Sequence, residues 1–275
     1  MGFFERLGNA WKIFVLSFQL LGRDKSLAII PSFMLISTFI VLVLFLPLFG
    51  FPIYAGIFPS DLTSASPIAQ GYGYLFAFLI LFVEYFWMYF LSAAQCWMVY
   101  EVVHGQDTTV MSGIRRAYHN LGDIVLFSLV MMLLTGSRSR RRGIAHLLGS
   151  AVSYFATLAG RLVLPGMIVT EKSFMESVRD LKKVSQAWAE IAAYEVGTGP
   201  LWVLFFIIFV GFIILIGSAV PFAFGIFLIL VGFMLFIALA TYVNTTYYTL
   251  LYLALIERQK VPGLEKLSFA PVFKH

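Results

Sequence analysis

The sharpest chemical candidate in the chain is Glu84, a carboxylate about twelve residues into a long apolar run. At that depth in lipid an uncompensated charge costs several kcal/mol, so such a group pairs or protonates. Arg161, inside another apolar run, is its natural partner. A structural ion pair, or a neutral Glu84 with Arg161 drawn inward, is the plain reading and has the better claim; a proton or substrate relay is the functional one. Gln95, His146 and Asn244, with the hydroxyls of Thr241, Thr245, Thr246 and Thr249, add polarity that interhelical hydrogen bonds would absorb. Ala145, Gly149, Ser153 and Thr157 recur every four residues, with Arg161 one turn further on. That small face suits close helix contact, or the wall of a narrow pore. Arg138, Arg140, Arg141 and Arg142 form the one dense charge run, readable equally as a solvated turn or as contacts to lipid phosphates.

Enzyme chemistry finds little to work with. The chain has no paired-Asp motif, Walker loop, HExxH or recognisable Ser-His-Asp spacing. His104 and His119 have no second ligand at metal spacing. Cys96 stands alone, which excludes an intramolecular disulfide and a cysteine metal cluster. No catalytic, cofactor or metal set is expected.

The elements that must position these groups are membrane helices. Of 275 residues 60% are hydrophobic and 12% charged, where a soluble domain carries about 25% charged residues. Mean hydropathy is +0.90. Val196–Ile256 holds 61 consecutive residues without Asp, Glu, Lys or Arg, and Ser26–Ser60 another 35. Runs of that length read as bilayer spans, and as helices, because open strands cannot cross lipid with unpaired backbone. Six are expected: Leu27 to about Leu46, about Tyr72 to Val103, Leu121 to Gly136, Ile144 to Val169, Pro200 to Gly217 and Phe222 to Ile256. The first is too long for a secretory signal and lacks a cleavage site, so it reads as a retained span. The six consume nearly the whole length, leaving no room for a soluble catalytic domain, and 1–275 reads as one membrane domain.

Orientation follows the basic residues. With the N-terminus inside, 14 Lys and Arg fall on the cytoplasmic side and only the four of the arginine run fall outside. The loop from Leu48 to Gly71 carries no basic residue. Both termini are therefore expected in the cytoplasm. The third span offers only about 24 Å of helix against a core of about 30 Å, so a shallow or re-entrant third and fourth pair is the alternative. A net charge of +5 raises nucleic acid, but the basic residues flank spans instead of forming a domain, which points to anionic headgroups. Membrane lipids, and further copies or other membrane proteins, are the expected partners.

A basic amphipathic segment with an Ala-aromatic pair precedes the first, third and fifth spans: Arg6–Trp11, Arg115–Tyr118 and Lys182–Trp188. In the first, Phe4, Leu7, Trp11, Phe14, Phe18 and Leu21 share one helical face, the pattern of an interfacial helix. Ser173 and Glu176 have capping-box spacing in the third. The even spans close alike, on Glu101, Glu171 and Glu257. The expected fold is therefore an all-α integral membrane protein of six transmembrane helices. They form three hairpins, each preceded by a cytoplasmic interfacial amphipathic helix, in units of about 1–103, 104–170 and 171–260 with a short tail.

Arg23-Asp24-Lys25 with Pro31, Gly105-Gln106-Asp107-Thr108, Pro165 followed by Glu171, Ser173, Ser185 and Trp188, and Leu251-Tyr252 with Pro262-Gly263 carry a resemblance along essentially the whole chain. It resembles a prokaryotic family of six-span membrane proteins catalogued as a domain of unknown function. More remotely, its layout is similar to the membrane domain accompanying some glycerophosphodiester phosphodiesterases, whose catalytic domain has no counterpart here. The resemblance implies a prokaryotic inner membrane and assigns no site residue. The expected function is non-enzymatic, contacting lipid or organising membrane components. The alternative is a small-molecule or ion transporter or channel using Glu84 and Arg161, and a water-accessible cavity would favour it.

Overall fold

The computed structural model describes residues 3–37, 67–136, 144–180, 206–211 and 222–255, with positions 191, 194 and 257. Among the described residues all regular structure is helical. Helix α1, Phe3–Arg23, ends at Asp24, whose carboxylate accepts from Ser26 N–H (2.8 Å) and caps a 3-10 turn, Lys25–Ala28. That turn runs into α2, residues 29–37. Helix α3 is Pro67–Val103. It starts before the expected Tyr72, because Pro67 has the fixed φ of a first helical residue and lacks only an N–H that position leaves unbonded.

Helix α3 ends in a Schellman turn. Gly105 sits at φ +72°, where Gln106 N–H reaches Glu101 C=O (3.0 Å) and Gly105 N–H reaches Val102 C=O (3.1 Å). Thr109 then caps α4, Val110–His119, in a reciprocal box with Ser112. Helices α5, Leu121–Gly136, and α6, Ile144–Val169, keep the limits expected from their apolar runs. Helix α7 is Phe174–Asp180, opened by the Ser173–Glu176 box, and α8 is Phe222–Leu255. Of the expected fifth span only 206–211 is described, and it is helical. Ser185, Trp188 and the Pro262-Gly263 pair lie outside the described residues.

Helices α3, α6 and α8 touch one another and form the centre, with α1 against α8 and α3, and α4 and α5 against α3. Among the described residues one segment, Phe78–Val103, is by itself long and apolar enough to cross a membrane; α4 and α5 pass that test only together, across an 80° corner. Asn120 makes the corner, its N–H on Ala117 C=O and its side-chain amide on Arg116 C=O. Helix α4 packs on α3 by close backbone approach. Gly113 shows this: a Cβ there would lie 2.6 Å from Ala94 C=O oxygen and 2.9 Å from Met98 Cγ.

The two faces of α1 divide differently from a simple apolar-in arrangement. Ile13, Leu16, Ser17 and Leu20 are buried against the bundle, whereas Trp11 (49% exposed) and Phe18 lie on the opposite, open face. Helix α4 repeats this, with Gly113 and Ala117 inward and Met111 (64%) and Tyr118 (69%) outward.

Candidate functional site

Two polar assemblies interrupt the apolar bundle. The first gathers where α3, α6 and α8 end. Glu101, buried, accepts three charge-assisted hydrogen bonds: from Trp97 Nε1 at 2.7 Å, Thr108 Oγ1 at 2.6 Å and Ser112 Oγ at 2.6 Å. Arg116 lies 4.3 Å from the centre of the same Trp97 ring, donates from Nε to Ile168 C=O (2.9 Å) and pairs with Glu171. Lys172 holds Asp180 (2.9 Å) and Glu257 (3.1 Å), and Tyr252 O–H donates to that Glu257 oxygen (3.2 Å). Asp123 accepts from Phe174 N–H at 2.9 Å, tying α5 to the start of α7. The three acids read from the sequence as span ends thus each engage an adjoining segment, so the three central helices run the same way and finish together.

The electrostatics follow from these partners. Burial raises the Asp24 carboxyl, but hydrogen bonds from Ser26 and from Thr108 N–H outweigh it and hold the group below its usual range. Arg116, first by hydrogen bond and then by charge, holds Glu171 down. Ser173 N–H and hydroxyl do the same for Glu176. Burial lowers Lys172, yet Asp180 and Glu257 together push it up. Asp24 therefore links the α1 corner to the Gly105–Thr108 turn. Asp24, Thr108, Glu171, Ser173 and Tyr252, far apart in sequence and among the residues that carried the resemblance, lie at this one end.

The second assembly is a cavity of about 210 Å³ between α3, α6 and α8. Helix α3 lines it with Tyr89, Ser92 and Cys96, and α6 with Thr157, Gly160 and Arg161. Thr241, Asn244, Thr245 and Tyr248 of α8 complete the polar wall, and Met88 and Leu164 are apolar. Arg161 carries its guanidinium 5.3 Å from the Tyr248 ring centre, within cation–π range. Pro165, inside α6, has no N–H to give the Arg161 carbonyl four residues back, so the backbone ladder is broken at this level. Ser92 lies 11 residues before Val103, Arg161 eight before Val169 and Tyr248 seven before Leu255, which sets them about 10–17 Å from the shared helix ends.

Glu84 is half-buried on α3, outside the lining, and one turn from Met88 on the face that meets the cavity. Arg161 and Thr157, both read from the small α6 face, are lining residues, as are Thr241, Asn244 and Thr245. Thr246 and Thr249 are buried in packing: Gln95 Nε2 donates to Tyr242 C=O (3.0 Å) and Thr246 Oγ1 (3.4 Å). His146, Gly149 and Ser153 fall on α6 beyond the described side chains, and Arg138, Arg140, Arg141 and Arg142 lie outside the described residues. Sequence reading missed Ser92, Tyr89 and Tyr248, single polar groups in apolar runs whose convergence depends on three helices at once. It also missed the Thr108 and Ser112 bonds to Glu101, although hydroxyls seven and eleven residues beyond a buried acid were a visible signal.

Fold and sites define an all-helical protein built on a parallel three-helix centre, polar at one end and hollow two to three turns in from it. The chain belongs to a family of unknown function, DUF6159, which matches residues 71–261. No curated protein and no solved structure matches it.

Proposed function

We propose that this is a polytopic, non-enzymatic inner-membrane protein with both termini cytoplasmic, and that its central cavity takes up a small solute for transfer across the bilayer. Arg161 in the wall of a cavity between three long apolar helices is the observation that carries this reading. A cation inside α6, about 12 Å from Val169 and about 26 Å from Ile144, is retained where it faces a water-filled or ligand-filled space or a fixed partner. Helix lengths support six spans: α6 has 26 residues and α8 has 34, about 39 and 51 Å of helix, while the 16-residue α5 keeps the shallow third and fourth pair as the alternative. Glu84, one turn off the cavity on its own face of α3, is the second charge of the proposed path, and pairs with Arg161 when the cavity holds no solute.

The test uses single cysteines in a Cys96→Ser background with a small, membrane-impermeant thiol reagent, on intact cells and inverted vesicles. Thr245→Cys and Glu84→Cys are expected to react from at least one side. Silence at both, with Arg140→Cys labelled from outside to show an inserted protein, overturns the transfer reading.

A second reading concerns the surface. Trp11 and Phe18 on α1, and Met111 and Tyr118 on α4, form open apolar faces beside Lys12 and Arg115. This arrangement supports contact with the headgroup layer of anionic lipid.

A further inference from the structure

Hydroxyls elsewhere in this bundle settle their hydrogen bonding within their own helix. Ser17, Ser128, Thr170 and Thr249 each donate to the carbonyl four residues back, at 2.6–3.0 Å. Three hydroxyls that line the cavity do not. Among the described residues, Ser92 of α3 and Thr241 and Thr245 of α8 make no side-chain hydrogen bond, although Ser92 is only 8% exposed. Asn244 joins them. Tyr194 O–H donates to its carbonyl oxygen at 2.8 Å, which fixes the amide and leaves its NH₂ as a donor, with no acceptor among the described residues. Thr241, Asn244 and Thr245, spaced by three and four, share one face of α8. Polar groups inside a protein are as a rule hydrogen-bonded, so four unmet ones lining a single cavity mark a place for a hydrogen-bonding guest.

Resting on the solute-transfer reading, we infer that the cavity takes a small neutral polyol. Hydroxyls both donate and accept, so Ser92, Thr241 and Thr245 match a guest whose own hydroxyls do the same, and the Asn244 NH₂ donates to one of its oxygens. Among the described lining residues there is no carboxylate to attract a cation. Arg161, their one formal charge, is already engaged, with its guanidinium 5.3 Å from the centre of the Tyr248 ring. An anion must disturb that engagement before the guanidinium can hold it. An apolar guest of any length leaves the four groups unmet, which costs free energy.

Thr245→Cys in the Cys96→Ser background tests this in the full-length protein, reconstituted in vesicles, with Ser92, Thr241 and Asn244 left in place. Its labelling without additive tests the transfer reading, and protection from labelling tests this one. Glycerol at ten times its dissociation constant is expected to slow labelling about tenfold, by mass action. Its effect on solvent viscosity is read at Gln106→Cys, on an exposed turn, and divided out. Propan-1-ol, with the same carbon chain and one hydroxyl, is expected to protect about tenfold more weakly, and glycerate, which adds a negative charge, no better than glycerol. Measured against each variant's own unprotected rate, Ser92→Ala and Asn244→Leu are each expected to raise the glycerol concentration for half-protection about 2- to 10-fold. Thr241→Val, expected to do the same, carries the test should Asn244→Leu not insert. Four results overturn the polyol assignment and leave the transfer reading standing: no protection by glycerol, equal protection by propan-1-ol, stronger protection by glycerate, or protection that none of the three variants weakens. Silence at Thr245→Cys with Glu84→Cys labelled does the same. Silence at both overturns both readings.

Discussion

Glu101 shows how a buried carboxylate becomes structural. Three donors converge on its two oxygens, and all three belong to residues with other partners nearby. Replacing it by Gln puts an NH₂ against hydroxyls that were donating, and leaves buried donors short of an acceptor. Glu101→Gln is expected to cost about 1–3 kcal/mol, and Glu101→Ala more, read as lowered thermal midpoints in detergent with Trp97 fluorescence altered in both. A second expectation concerns Glu171. Its folded pKa is lowered by Arg116, so the pairing contributes fully above the unfolded value of 4.5 and is lost as pH falls through the folded one. The stability gap between the wild type and Arg116→Gln should stay flat above about pH 5 and narrow in acid. A gap that widens on acidification contradicts the pairing. At this scale the sequence was half legible. Arg161 announced itself as a charge in an apolar run, whereas Ser92 and Tyr248 are unremarked polar residues until three helices set them at one depth.

Elements were easier to read than their partners. Apolar runs bounded by Asn120, by the arginine cluster and by Thr170 marked α5 and α6, because runs of 16 and 26 residues exceed the usual length of a strand. Periodicity also marked the aromatic face of α1. It could not say which face meets protein, since Ile13, Leu16 and Leu20 form a second apolar stripe opposite Trp11 and Phe18. One stripe packs on the bundle, and the other is the face the proposed function turns toward lipid. The α3–α4 contact depends on Gly113 as a matter of space. A methyl group there meets the Ala94 carbonyl, which is backbone and cannot swing aside. At Gly160 the added methyl meets the end of Met131, 2.8 Å from its sulfur, and Met rotates readily. Gly113→Ala should therefore destabilise by about 1–3 kcal/mol, and Gly160→Ala by clearly less, in paired thermal melts. Equal effects would argue against the close α3–α4 approach.

At the scale of the whole molecule, two helices end at a capped corner just before an apolar helix. Helix α1 breaks at Asp24 before α2, and α4 breaks at Asn120 before α5. The segment 182–188, expected to lead the third unit, lies outside the described residues. Orientation is tested at this scale. Lys12 and Arg115 beside open aromatic faces are expected to lie in the cytoplasmic headgroup layer, so a variant retaining Trp11 as its single tryptophan should be quenched by lipids brominated near the headgroup. Quenching only by lipids brominated deep in the acyl chain would place α1 as a span and overturn the interfacial reading.

The common direction of α3, α6 and α8 has one more consequence. Each helix presents the equivalent of about half a negative charge at its C-terminus, and parallel packing adds the three at the same end instead of cancelling them. Glu101, Glu171 and Glu257 sit at that end, where the summed peptide dipoles oppose them. Arg116 and Lys172 therefore neutralise a field made by the backbone as well as the carboxylates they touch. Arg116, with its bond to the Ile168 carbonyl, caps α6 directly. Added salt screens such fields, and the ends of all three helices would feel the loss of either cation together.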